Sequence, residues 1–294
     1  MRSTMATLRY LRTLSPDQRD VLAKKKIDGE FTAVQLLALL RPLAEFDGMN
    51  DRTRGKTIWI IVLSVVAAIA TLFFLVEINA LIGWVVIGLL LSAVAVLIAI
   101  EVRLGKLDVS NNVRQIALPF LAVLREDTPR DSSLQVRIDL TKAMDKSKKK
   151  EKRPPYKRGR YHKIVDTLYQ DPWFAGSAQL ADGSRLRWEV EDDVVHSQCS
   201  KRNARGKYKS KSKYTKRSLL HVTVSLPLRN YQFGEIGKVQ GTRSAVSAND
   251  KRTVVKLSRK LKSRSLEPFH VSELVNLVSA AYRPVSPANK EAAQ

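Results

Sequence analysis

Between residues 201 and 217 the chain carries nine Lys and Arg side chains and no acid: Lys201, Arg202, Arg205, Lys207, Lys209, Lys211, Lys213, Lys216 and Arg217. The chemistry open to such a stretch is anion binding. Lys207, Lys209, Lys211 and Lys213 stand two apart, so in an extended strand their ammonium groups line one face. Tyr208, Ser210, Ser212 and Tyr214 then line the other. The tip of a long hairpin is expected at Asn203–Gly206, with arms reaching Cys199 and Leu226. Near an anionic leaflet each base contributes about 1 kcal/mol, fading within a Debye length of roughly 8 Å. Nucleic acid is a second candidate polyanion, because Tyr208 or Tyr214 could stack on bases, and an acidic protein is a third. A structural account also exists, in which lysines on an edge strand discourage pairing with another chain. Edge protection alone rarely needs nine bases without an acid.

Catalytic groupings are weaker. His162 with Asp166, or Asp192 and Asp193 with His196 and Cys199, superficially suggest a metal or a nucleophile. On a strand, however, His196 and Cys199 are an odd number apart and point to opposite faces. Gly234-Glu235-Ile236-Gly237-Lys238 is not a phosphate-binding loop, since its glycines are too close and no Ser or Thr follows the lysine. The expectation is a protein without catalytic residues, cofactor or metal.

What places these residues in the cell is a pair of apolar runs, 58–76 and 81–100, of 19 and 20 residues and without a charge. At 1.5 Å per residue each reaches about 28–30 Å as a helix, the thickness of a bilayer core. Only Glu77, Ile78, Asn79 and Ala80 separate them, so a helical hairpin crossing twice is expected. Arg52, Arg54 and Lys56 precede the hairpin, Arg103 and Lys106 follow it, and its turn has no base. The positive-inside rule then puts both termini in the cytoplasm. Trp59 and Trp84 fall near the two interfaces. Small residues four apart, as in Ser64/Ala68 and Ala95/Ala99, would let the helices approach closely. Neither run holds an ionisable residue, which makes the hairpin an anchor rather than a transport path. A bacterial cytoplasmic membrane is the expected location. Arg2, Arg9 and Arg12, with no acid before Asp17, leave an organellar inner membrane as the alternative.

Charge is distributed unevenly along the 294 residues. The chain has 51 bases and 28 acids, a net +23. Segments 142–163, 201–217 and 251–264 alone carry +25, so the remainder is close to neutral. The basicity is therefore local and marks surfaces. Cys199 is the only cysteine, which rules out an intramolecular disulfide and suits a reducing compartment.

The elements expected to carry these features form an α+β membrane protein. Residues 1–50 are read as an N-terminal cytoplasmic helical pair. Its first helix is capped by Ser15 with Gln18 and runs to about Lys26, Asp28-Gly29 breaks it, and Thr32 caps the second. The transmembrane hairpin follows at 57–102, with helices 57–76 and 81–102. An amphipathic connecting helix at 107–125 is interrupted by Pro119. Residues 126–283 are read as a basic cytoplasmic domain with a mostly antiparallel sheet, and 284–294 as a disordered tail. Within that domain, 134–140 alternates as a strand, 142–160 reads as a mobile charged loop, and Asp182-Gly183 marks a hairpin turn with two positive-φ residues. A strand follows at 220–226, another at 253–261, and Ser272 starts a helix. The expected partners are the membrane, crossed twice, and an anionic surface on its cytoplasmic side, with lipid head groups favoured over nucleic acid. The alternative is a scaffold or accessory subunit of a membrane complex, or a homo-oligomer, in which the bases are only solvated surface.

Overall fold

The computed structural model describes residues 2–78, 80–202, 206–228, 231–234 and 240–287. The chain forms two compact units, 1–24 with 41–109 and 25–40 with 110–294.

The first unit is helical. It contains α1 (Arg2–Thr13), α2 (Pro16–Lys24), most of α3 (Ala33–Ile78) and α4 (Ala80–Leu107). The expected capping box is present at α2, where Gln18 N donates to Ser15 Oγ (3.3 Å) and Ser15 N to Gln18 Oε1 (2.9 Å). Polar contacts knit α1, α3 and α4 together outside the apolar stretches. Tyr10 donates to Glu45 (2.7 Å), the Thr7 and Thr53 hydroxyls meet at 2.8 Å, and Asn50 Nδ2 donates to Leu104 O (3.2 Å). Arg54 bridges Glu101 and Asp108. The apolar stretches of α3 and α4 are long enough to cross a membrane, and only 6% and 11% of their apolar windows are buried. Trp59, Leu63, Leu81, Trp84 and Leu89 all project outward. The buried part of these helices lies mostly outside the apolar stretches, at residues such as Leu43, Phe46 and Leu104.

The second unit is an antiparallel sheet with helices against it. Its strands are β1 (Lys26–Thr32), β2 (Ser133–Asp139), β3 (Lys149–Lys152), β4 (Tyr156–Arg158), β5 (Tyr161–Gln179), β6 (Arg185–Arg202), β7 (Tyr208–Pro227), β8 (Tyr231–Phe233), β9 (Thr242–Ala248), β10 (Arg252–Ser263) and β11 (Val285–Pro287). The main order is β1-β2-β5-β6-β7-β10-β9, with β3 and β4 also paired to β5, while β8 and β11 form a separate ribbon. α5 (Leu118–Glu126) and α6 (Ser272–Tyr282) complete the unit. Phe120 of α5 sits edge-on to Phe174 (5.8 Å) and Trp188 (5.4 Å), at the centre of a core that includes Val190, Leu220 and Val222. The residues before Pro119 take a π turn (Val113–Ala117). Proline lacks an N–H and crowds the carbonyl four residues back, and the wider turn accommodates both.

Several expectations change. The segment after α2 is not a simple helix break. It is the edge strand β1, paired from Lys26↔Asp139 to Thr32↔Ser133, with Ile27, Gly29 and Phe31 opposite Ile138, Val136 and Leu134. The second helix expected within 1–50 does not stop there. α3 starts at a capping box, Gln35 N donating to Thr32 Oγ1 (3.2 Å), and continues through Pro42 into the first apolar run. The expected mobile loop at 142–160 contains a 3₁₀ turn and two short strands held against β5. At the β5–β6 turn only Gly183 has positive φ (82°), and Asp182 instead accepts from Ser184 N (2.8 Å). Of the expected tail, 285–287 forms β11, and 288–294 lie outside the described residues, as does Asn79 in the turn of the apolar hairpin.

Candidate functional site

β5, β6 and β7 are 19, 18 and 20 residues long, well beyond an ordinary strand of five or six. Their near halves carry the core, while their far halves continue as a three-stranded ribbon. The β6–β7 ladder runs unbroken to Arg202↔Tyr208 and the β5–β6 ladder to Lys163↔Ser200. β10 stops at Ser263↔Lys216, so 208–215 of β7 forms the ribbon's edge among the described residues.

The register sorts the basic residues. Lys209, Lys211 and Lys213 lie opposite Lys201, Cys199 and Ser197, on one face. Tyr208, Ser210, Ser212 and Tyr214 lie opposite Arg202, Ser200, Gln198 and His196, on the other. Lys207, Lys209, Lys211 and Lys213 are all exposed. At the strand repeat of about 6.8 Å per two residues, they span roughly 20 Å. Aromatic rings accompany them. The Lys213 ammonium stands 4.6 Å from the Tyr161 ring centroid, the Arg202 guanidinium 5.9 Å from that of Tyr208, and His196 stacks on Tyr214 at 4.9 Å. Arg202 Nε also donates to Gly206 O (3.1 Å).

Two residues of the expected set stand apart. Lys216 is not a surface base. It is 3% exposed, its Nζ lies 3.1 Å from Asp192 Oδ2, and it donates to Glu267 O (3.3 Å). Arg217 sits opposite Asp193, further down the ribbon, where an acid already faces it. Arg205 lies outside the described residues. The structure adds bases from a segment distant in sequence. β4 pairs with β5 at Tyr156↔Ile164 and Arg158↔Tyr161, which brings Lys157 and Arg158 to the same end as Lys163 and Lys201. Two separate basic runs thereby converge. The charge runs themselves are visible in sequence, but their pairing is not.

At the root of the ribbon is a buried ionic network. Asp171 and Asp192 are cross-strand neighbours, both fully buried. Lys148 Nζ reaches Asp171 (2.7 Å) and Asp139 (3.3 Å) and donates to Thr141 O (3.1 Å). Asp192 receives the Ser218 hydroxyl, Lys216 and Asn112 Nδ2 (3.3 Å). Burial pushes the Asp171 carboxyl up to about 6 from 3.8; Lys148 opposes the shift and neighbouring Asp192 adds to it. Charges this deep survive only when paired. Lys148 thus pins one basic segment and Lys216 the other.

The residues of the weaker groupings have other surroundings. His196 and Cys199 are on opposite faces of β6, Asp192 is engaged by Lys216, and Asp166 accepts from Tyr156 (3.0 Å). No known protein family, curated protein or solved structure matches the chain.

Proposed function

We propose that this is a two-pass membrane protein, non-enzymatic, whose basic ribbon engages an anionic surface, with lipid head groups as the partner. The observation that carries this reading is the convergence of two basic segments at one end of β5–β6–β7, held there by buried ion pairs. Surface lysines that serve only solubility need no such anchorage. The α3 and α4 apolar stretches supply the spans, and the bases flanking them favour cytoplasmic termini in a bacterial inner membrane.

The test uses full-length protein in zwitterionic nanodiscs, offered to anionic vesicles, neutral vesicles and single-stranded RNA across a salt series. Salt-sensitive capture by anionic vesicles is the expected result. Replacing Lys207, Lys209, Lys211 and Lys213 with Gln removes about 1 kcal/mol each, so binding should fall on the order of a thousandfold. Capture that is absent, or unchanged by these replacements, rejects the reading. Preference for RNA over vesicles would reassign the partner.

A second reading is a scaffold or accessory subunit of a membrane complex, favoured by the outward-facing apolar side chains of α3 and α4. Crosslinking in native membranes separates the two, because under this reading the four Gln replacements leave the crosslinked partners unchanged.

A further inference from the structure

One cavity of the second unit contrasts with this basic surface. It lies among α5, α6 and the β5–β6 turn, with a volume of about 490 Å³. Phe120, Leu124, Leu186, Val275 and Val278 give it apolar walls, and its charged lining consists of Glu126, Asp127 and Asp182, with no Lys or Arg. In a chain of net +23 that is an unusual local sign. Asp182 and Tyr282 are held in place by hydrogen bonds. Tyr231 donates to Asp182 Oδ2 (2.9 Å), Ser184 N donates to Oδ1 (2.8 Å), and the Tyr282 and Ser184 hydroxyls are 2.6 Å apart. Burial raises the Tyr282 hydroxyl above its ordinary value, so it remains a neutral donor. Arg125 pairs with Glu126 (2.6 Å), and Asp127 is exposed at the cavity.

We infer that this cavity binds a small amphiphile with an apolar body and a cationic amine head. The volume falls within the range of small-molecule sites, and such sites combine apolar walls with a few fixed polar groups. An apolar body removes the walls from water. An ammonium head meets carboxylates across a short distance in a partly desolvated site, where charge-assisted hydrogen bonds are strong. A carboxylate or phosphate head would face like charge here, while better anion sites lie on the ribbon. The inference is independent of the ribbon's partner.

The probes are 4-phenylbutylamine, 4-phenylbutyrate and 4-phenylbutanol, which share one apolar body. Each is titrated calorimetrically into full-length protein in zwitterionic nanodiscs, with empty nanodiscs subtracted. The amine should bind saturably at one site, at least tenfold more tightly than the carboxylate. Asp127→Asn should weaken the amine about fivefold and leave the alcohol unchanged, and Val278→Trp should abolish binding by filling the cavity. Equal affinity for all three probes, preference for the carboxylate, no binding, or amine binding that survives both substitutions overturns the inference. Should Val278→Trp fail to fold, Asp127→Asn decides alone, since Asp127 is exposed and its amide is isosteric.

Discussion

At the scale of single residues, two lysines five apart in the same basic run have opposite roles. Lys211 is exposed, and Lys216 is buried against Asp192. Lys216→Ala leaves a buried carboxylate without its cation and should lower stability by about 3–5 kcal/mol, whereas Lys211→Ala should stay within about 0.5 kcal/mol. Urea unfolding followed by the fluorescence of the buried Trp173 and Trp188 measures both. Asp171 adds a pH dependence of known sign. Its carboxyl titrates at about 6 in the fold and near 3.8 when unfolded, so the folded state holds its proton more tightly. Stability should therefore fall as pH rises from about 4 to about 6. Midpoints measured across that window should show the decline, and in Asp171→Asn this part of the slope should vanish. A wild-type protein that gains stability over the window more steeply than the Asn variant would contradict the assignment.

At the scale of elements, the sheet depends on close approach at one glycine. A Cβ on Gly176 would stand 2.4 Å from the Trp188 ring and 2.7 Å from Gln135 O, so Gly176→Ala should destabilise the second unit by about 3 kcal/mol, read as a lowered thermal midpoint. Much of this layer was legible in sequence. The alternation of Leu134, Val136 and Ile138, the 220–226 strand, the Asp182-Gly183 turn and the lysine alternation on β7 all obey period two. β1 was not legible, because Asp28-Gly29 carries a turn signature and the strand exists only through its partner β2. β3 and β4 were hidden for a similar reason. Their lysines and prolines read as loop until Lys148 finds Asp139 and Asp171, contacts that period and propensity do not encode. Within β5, the register shift between Pro172 and Phe174 puts odd-numbered Asp171 on the same face as even-numbered Phe174, so alternation counted from one end mislabels the other. The candidate site is thus half visible in sequence: its charges can be read directly, and their convergence is a matter of pairing.

At the scale of the whole molecule, the two long apolar helices and the uneven charge point the same way. Under the proposed reading, anchoring in a bilayer would hold the basic surfaces at high effective concentration near anionic head groups, so a modest intrinsic affinity would suffice. Two measurements bear on this arrangement. The protein should stay with membranes after alkaline carbonate extraction. Cys199 is buried and is the only native thiol, which gives a clean background for Asn79→Cys. An impermeant maleimide applied to intact cells should label that variant and not the parent; labelling at a cysteine placed at Ser3 instead would invert the topology.

The bulge at Trp173 bears on where the ribbon points. A bulge bends its strand and tightens the local twist, and here the extra residue is locked by its own burial and by stacking on Phe174 at 5.5 Å. Shortening the strand by that one residue would leave each flanking cross-strand pair, and so each face, as it is. Only the direction of the far half would change. The bulge at Trp173 thus contributes to the direction of the cationic end separately from the lysines that give it charge.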